Sequence, residues 1–154
     1  MKRLAVIMLL AVLVQYFGVP FRKTDVAKLK PVELIALSIA KGRTDVRTEG
    51  GDFGSGDNLQ EALEDMKRTA DGEIFLETVN NILVTDDAKD LVKELTAYLR
   101  PGCGISVYEG EADLETAAKY LGEHKLPKTL LQYAKGKTDL PKLIFVDGRI
   151  YLEQ

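Results

Sequence analysis

The stretch GGDFGSGDNLQEALEDMKRTADG, residues 50–72, joins a glycine-rich segment to the clearest helical pattern in the chain. Four glycines within Gly50–Gly56 predict a loop. Asp57 is predicted to cap the following helix, with Gln60 at the capping-box position. Apolar residues at helical spacing over 58–70, ended by Asp71-Gly72, predict an amphipathic helix. Its buried face would consist of Leu59, Ala62, Leu63, Met66 and Ala70.

Strand patterns lie on both sides of this helix. Val32–Ala40 is a β-rich apolar run, and Val46–Thr48 offers a partner strand across a short turn. The period of Ile74–Val84 fits either a helix or a strand, and we favour a strand at Asn81–Val84 because Thr85 suits the cap of a new helix. That helix would have acidic residues near its positive N-terminal end, namely Asp86, Asp87 and Asp90. Its apolar face would comprise Ala88, Leu91, Val92, Leu95, Tyr98 and Leu99.

The alternation of strands and helices continues towards the C-terminus. A strand is predicted over Gly104–Glu109, followed by a helix over 113–121 with Gly122 at its C-cap. Pro127 suits the first turn of a further helix that would extend to about Ala134. The inward face of the helix at 113–121 is expected to comprise Leu114, Ala117, Ala118 and Leu121.

The fold class follows from this order of elements. Asp147-Gly148 between Leu143–Val146 and Arg149–Leu152 predicts a β-hairpin. Strands interleaved with helices predict an α/β (α+β) fold in which about four helices pack against a mixed β-sheet. The predicted organisation is a signal peptide or membrane anchor at 1–23, a tether at 24–31 and one globular domain at 32–154.

An uninterrupted apolar run of eleven residues, Leu4–Val14, follows Lys2 and Arg3 and is typical of an export signal. The apolar character extends to Phe21, and about eighteen residues would span roughly 27 Å as a helix, just short of the hydrocarbon core. No small-residue cleavage site follows the run. This favours an uncleaved signal anchor over a cleaved signal peptide that would release a secreted domain. A buried core helix is the third interpretation.

The charge distribution narrows the classes of partner. The four charged residues up to position 23 are all basic, whereas the rest of the chain holds 17 basic and 24 acidic residues, a net charge of −7. Such a domain lacks the clustered basic residues that neutralise phosphates, so no nucleic-acid partner is predicted. Anionic lipid would repel it, so membrane contact is expected through the N-terminal segment. A short anchor before a large domain predicts that the domain is extracytoplasmic.

Few residues are candidates for chemistry. His124 is the single histidine and Cys103 the single cysteine, so neither completes a usual zinc ligand set. Cys103 lies in a tight turn, which favours a structural role for its thiol. The Asp86-Asp87-x-x-Asp90 cluster suggests a calcium or magnesium site. However, the helix dipole alone favours carboxylates in a first turn, and this second interpretation is preferred.

The Gly50–Gly56 segment before a helix also suggests phosphate binding, because backbone amides at a helix N-terminus attract anions. The lysine and hydroxyl residue of a P-loop are missing, and Asp52 and Asp57 add negative charge where a phosphate would lie. We therefore predict no catalytic, cofactor-binding or metal-binding residue, and no cofactor.

A resemblance to a known family rests on two segments. Gly54-Ser55-Gly56 precedes a helix that contains Glu61-Ala62-Leu63, and the strand around Ile105-Ser106-Val107 leads into a second helix. Over about residues 32–123 the sequence resembles the N-terminal domain of the Ger(x)C-type C-subunit lipoproteins of spore germinant receptors. That family carries a lipid-attachment cysteine and two further domains that this sequence lacks. The resemblance therefore implies a stand-alone, membrane-tethered relative of one domain.

Two functional hypotheses follow. The first is a non-enzymatic, extracytoplasmic, membrane-tethered module for binding or assembly, linked to sporulation or spore germination, with membrane or spore-envelope proteins as partners. The alternative is a small exported α/β enzyme, a hydrolase or a thiol-linked enzyme, that uses Cys103 or His124. A pocket that holds either residue with carboxylates of shifted pKa would favour the enzyme.

Overall fold

The computed structural model describes residues 28–99, 104–124, 130–135, 140–146 and 148–153. Residues 1–27, which include the predicted signal anchor, and Cys103 lie outside the described residues. None of the helices in the described segments is long and apolar enough to cross a membrane. The strands are β1 (Leu29–Pro31), β2 (Leu34–Ala40), β3 (Arg43–Thr48), β4 (Phe53–Gly56), β5 (Glu73–Phe75), β6 (Asn81–Val84), β7 (Ser106–Gly110), β8 (Lys142–Val146) and β9 (Arg149–Glu153). The helices are α1 (Leu59–Thr69), α2 (Leu91–Leu95), α3 (Leu114–Glu123) and α4 (Leu130–Ala134).

Seven strands form one mixed sheet in the order β4-β3-β2-β6-β7-β8-β9, which confirms the predicted mixed sheet with helices packed against it. β2, β3 and β4 are antiparallel neighbours, whereas β6, β7 and β8 continue parallel to β2 on its other side. β9 returns antiparallel to β8, as the Asp147-Gly148 turn predicts. A separate parallel pair joins β1 to β5, so Leu29–Pro31 of the predicted tether belongs to the folded part.

The sheet separates two hydrophobic cores. We call its two sides the front and rear faces. The front core packs α1, α2 and α4 against the sheet, with sheet residues Ile35, Leu37, Val46, Ile82, Val84 and Val107. The rear core packs α3 against the sheet, with sheet residues Leu34, Leu83, Tyr108, Leu143 and Ile150. Among the described elements, α3 is the helix that packs on the rear face, and its strand contacts are with β2 and β9. The rear face of β3 and β4 therefore lies next to α3 and is not covered by it.

The predicted loop over Gly50–Gly56 is wrong at its C-terminal half, where Phe53–Gly56 forms β4. A Cβ atom at Gly54 would lie 2.1 Å from the carbonyl oxygen of Ala62, and one at Gly56 would lie 2.5 Å from the amide nitrogen of Ala62. Only residues without a side chain allow α1 to pack this closely on β4. The role of these glycines is therefore to allow close packing of a helix on a strand. They do not form a turn or a phosphate-binding loop.

The predicted capping box is displaced by one residue. Asn58, not Asp57, is the N-cap of α1, and its side chain accepts the N–H of Glu61 at 2.9 Å. The carboxylate of Glu61, not Gln60, reaches back to accept the N–H of Asp57 at 3.0 Å. The buried face predicted for residues 58–70 is confirmed at Leu59, Ala62, Leu63 and Met66, whereas Ala70 is half-buried.

Two further helix boundaries differ from the prediction. The helix expected after Thr85 is broken into a 3-10 turn at Asp86–Ala88 and the short α2, so Tyr98 lies beyond the helix and is exposed. Gly122 lies inside α3 and is not its C-cap, because the helix continues to Glu123 and the N–H of His124 donates to the carbonyl of Tyr120. Residues 125–129, which include the predicted start at Pro127, lie outside the described residues.

Candidate binding groove

The carboxyl ends of β2, β6 and β7 meet at one edge of the sheet, because these three neighbours are parallel. Successive connections leave this edge on opposite faces, since α2 packs in the front core and α3 packs in the rear core. In open α/β sheets a crevice forms where the connections diverge in this way. Here it is a cleft of 280 Å³, and its lining includes Ser38, Thr85, Asp87 and Glu111.

Gly110 shapes the wall of the cleft at the end of β7. Its φ angle is +147°, and a Cβ atom there would lie 2.3 Å from the carbonyl oxygen of Leu143 in β8. Both the backbone angle and the close approach of β8 require glycine. The chain can thereby turn away from the sheet into α3 while β8 remains paired with β7.

Arg47 extends from the rear of β3 to the side of the cleft. It is exposed, and its guanidinium carbon lies 5.5 Å from the centroid of the Phe53 ring on β4. The two residues are cross-strand partners in the β3–β4 register, so the stack follows from the pairing of the strands. Such a cation–π contact holds the guanidinium in place while it stays accessible. Among the described residues, Arg47 has no ion-pair partner.

A second, more open cavity of 650 Å³ continues from the cleft along the rear of β3 and β4. It shares Arg47, Ala112 and Leu114 with the cleft. We call the combined surface the Arg47 groove. Its sheet side is formed by Arg47 and Phe53, its helix side by the N-terminal end of α3, and its end by the cleft at Ser38 and Thr85. Arg47 is the single basic residue among the described residues that line it.

Several carboxylates of the groove are engaged by the fold. Glu49 accepts the N–H groups of Glu33 and Leu34 at 2.6 and 3.1 Å. Asp52 binds the ammonium group of Lys30 at 2.8 Å. These contacts secure the loop between β3 and β4, so these carboxylates have structural roles.

Asp113, on the helix side of the groove, is the N-cap of α3. Its carboxylate accepts the hydroxyl and the backbone N–H of Thr116 at 2.6 and 3.0 Å. These hydrogen bonds, that of the hydroxyl first, hold the pKa of Asp113 below its ordinary value. The helix end beside Arg47 is therefore fixed in position.

An ion-pair network involves Asp86 and Glu109, the sequence neighbours of Asp87 and Gly110, which line the cleft. The ammonium group of Lys89 lies 2.6 Å from carboxylate oxygens of both Asp86 and Glu109, and Lys142 lies 3.6 Å from Glu109. The hydrogen bonds to Asp86 and then to Glu109 hold the pKa of Lys89 above its ordinary value. The network ties the turn after β6 to β7 and β8, so Asp86 has a structural partner.

The Asp86-Asp87-x-x-Asp90 cluster is divided among different contacts. Asp86 pairs with Lys89, and Asp87 accepts the hydroxyl of Thr85. Asp90 occupies the N-cap position of α2 without a side-chain capping bond. The described residues contain no group of three or more His, Cys, Asp or Glu side chains placed to hold a metal ion.

His124 lies at the far end of α3 from the groove. Its ring stacks on Tyr120 with 4.4 Å between centroids, and its Nδ1 lies 3.1 Å from the carbonyl oxygen of Tyr120. α3 has ten residues, which at 1.5 Å per residue corresponds to about 15 Å. The histidine and the groove therefore form separate sites.

Sequence reasoning missed Arg47 and Phe53. The alternation of β3 could have indicated that Arg47 faces away from the core, since Val46 beside it is fully buried. Phe53 gave no such signal, because its strand was interpreted as a loop. Comparison of the chain with family models, with curated proteins and with solved structures found no match.

Proposed function

We propose that this chain is a non-enzymatic binding module, held at a membrane by residues 1–23 with its domain on the extracytoplasmic side. The observation that carries the binding role is the Arg47 groove. It combines an accessible guanidinium, held over an aromatic ring, with an open surface that runs into a cleft at the sheet edge. Preorganised cations beside apolar surface are typical of recognition sites.

The chemistry of the groove favours an acidic side chain within a protein segment. A guanidinium binds a carboxylate through two parallel hydrogen bonds. Phe53 and Leu114 provide apolar surface beside it. The carboxylates of Glu111 and Glu115 would repel a polyanion. The partner segment would therefore place one Asp or Glu at Arg47, with neutral or basic neighbours.

The resemblance of residues 32–123 to the Ger(x)C N-terminal domain supports extending the proposal to a partner in the sporulation or germination machinery of a membrane. For the alternative, an exported enzyme that uses Cys103 or His124, His124 draws no support from the groove, because it lies at the opposite end of α3. The binding module is therefore the function that this geometry supports best.

A photo-reactive residue in the groove should capture the partner. We expect the photo-reactive phenylalanine derivative p-benzoylphenylalanine at position 53 to form one dominant adduct with another protein in intact cells. Arg47→Glu should reduce the adduct about tenfold or more, because a charge-assisted hydrogen bond contributes about 1.5–3 kcal/mol. The adduct is quantified by immunoblot and identified by mass spectrometry.

Two controls use α1, on the front of the sheet. The same photo-reactive residue at position 67 should give no dominant adduct, because Lys67 is exposed away from the groove. Lys67→Glu makes the same change of charge at an exposed site on α1 and should leave the position 53 adduct unchanged. Equal adducts from positions 53 and 67, or an adduct insensitive to Arg47→Glu, would refute the groove as the binding site.

The membrane tether is tested by fractionation. We expect the full-length protein to sediment with membranes and to resist extraction by high salt or alkaline carbonate, because the apolar segment 4–21 would insert into the bilayer. Deletion of residues 1–23 should move the protein to the soluble fraction at unchanged abundance. Recovery of the full-length, uncleaved protein in the soluble fraction would rule out the anchor.

A further inference from the structure

The two edges of the seven-stranded sheet differ in how their backbones are protected. At the β4 edge, side chains of α1 occupy the outward groups: Asp65 accepts the N–H of Ser55 at 3.1 Å, and the hydroxyl of Thr69 donates to the carbonyl of Phe53 at 3.2 Å. Edge strands blocked in this way cannot pair with another strand. The β4 edge is therefore closed to strand addition.

The β9 edge has no such protection within the described part of the chain. β9 pairs with β8 on one side, and no described side chain hydrogen-bonds to its backbone on the other. Tyr151 is 52% exposed, and its cross-strand partner Ile144 is 38% exposed. A strand with one open edge beside exposed apolar side chains is a template for pairing with another chain.

The sequence of β9, Arg149-Ile150-Tyr151-Leu152-Glu153, selects the occupant. In an antiparallel pair of two copies centred on Tyr151, Arg149 of each copy lies opposite Glu153 of the other. Opposite charges in cross-strand positions stabilise a sheet, and like charges directly opposite destabilise it. A parallel, in-register pair would place Arg149 opposite Arg149. Charge complementarity therefore favours the antiparallel, two-fold arrangement.

The same register also matches the faces of the strand. Side chains alternate along a strand, so Arg149, Tyr151 and Glu153 share the front face, while Ile150 and Leu152 share the rear face. On the front face, the two Arg149–Glu153 pairs would flank the central Tyr151 pair. On the rear face, Ile150 of each copy would meet Leu152 of the other. All five residues thus meet a complementary or identical partner.

We propose that a second copy of this chain occupies the β9 edge, and that the two copies form a dimer with one continuous sheet. A two-fold interface of this kind uses the same surface on both copies and closes on itself. The Arg47 groove stays free, because β3 lies five strands from β9, about 24 Å at the usual strand spacing. The dimer would present two Arg47 grooves. Formation of the dimer does not depend on what these grooves bind.

A disulfide at the two-fold axis tests the arrangement in the full-length chain within membranes. In a Cys103→Ser background, Tyr151→Cys should give a disulfide-linked dimer on mild oxidation, because directly opposite residues have Cα atoms about 4.5–5.5 Å apart, within the range that a disulfide spans. Lys67→Cys in the same background, exposed on α1, is the matched control and should remain monomeric.

Charge exchange tests the register. Arg149→Glu and Glu153→Arg, each added to the Tyr151→Cys chain, should each lower the disulfide-linked dimer about tenfold or more, because like charges then oppose each other at both ends. When the two variants are co-expressed with different tags, the mixed dimer should regain the parental yield, because every charge pair is restored. This recovery also shows that both variants fold.

Absence of the Tyr151→Cys dimer, or a mixed pair that links no better than each variant alone, would overturn the proposal. Linkage of Tyr151→Cys to a different protein would also overturn it, because the occupant would then not be a second copy. Failure of the groove experiment leaves this test unaffected, since the two surfaces share no residue.

Discussion

Leu63→Ala is expected to lower the free energy of unfolding by about 2–5 kcal/mol, the usual range for a buried leucine truncated to alanine. Leu63 lies on α1 within the front core and is only 2% exposed. Truncation would leave a cavity between α1 and the sheet that the surrounding strands can fill only in part. Leu95, fully buried on α2 in the same core, should respond within the same range.

Matched controls lie on the solvent sides of the same helices. Lys67→Ala on α1 and Lys93→Ala on α2 should each change the free energy of unfolding by less than about 0.5 kcal/mol, because both lysines are exposed. Urea unfolding followed by circular dichroism measures all four variants. Equal losses from the leucine and lysine substitutions would show that the helix faces are assigned wrongly.

Gly54→Ala is expected to lower the free energy of unfolding by about 1–3 kcal/mol or more, as overpacking of a close-packed interior does. The new methyl group would lie 2.1 Å from the carbonyl oxygen of Ala62 and 2.4 Å from the amide nitrogen of Met66. Both are backbone atoms of α1, so no side-chain rotation can relieve the contact. The helix would have to move away from β4.

Gly122→Ala is the control for the same chemical change. A Cβ atom at Gly122 meets nothing within 4 Å, and the residue lies inside α3. Alanine should therefore raise the free energy of unfolding by about 0.5–1 kcal/mol, because it replaces glycine in a helix. A Gly54→Ala protein as stable as the parent would contradict the close packing of α1 on β4.

The binding groove and the dimer edge differ in how far apart their residues lie in the sequence. The β9 edge depends on five consecutive residues, so its charge pattern can be read directly once the described part of the chain shows that the outer side of this strand has no neighbouring strand. The groove combines Arg47 and Phe53 on neighbouring strands with the start of α3, about sixty residues further along the chain. No local pattern links those segments, which is why sequence reasoning found no binding residue.

The apolar period along the chain is enough to determine several elements of this protein. The spacing of Leu59, Ala62, Leu63 and Met66 predicts α1 and its buried face, and the Asp147-Gly148 turn predicts the closing hairpin, because both depend on neighbours within one or two turns of backbone. The export signal at residues 4–21 is of the same kind and stays a prediction.

Tertiary structure alone decided the rest. Gly54 and Gly56 belong to a strand because α1 packs on them, although glycine-rich sequence by itself favours a loop. The helix after Thr85 breaks where Lys89 joins Asp86 to Glu109, and Arg47 becomes a candidate binding residue because strand pairing places Phe53 beside it. The deciding contacts join different elements, β4 with α1, the turn after β6 with β7, and β3 with β4, so they form only when those elements pack together. Such a contact cannot be predicted from the residues next to it in the sequence.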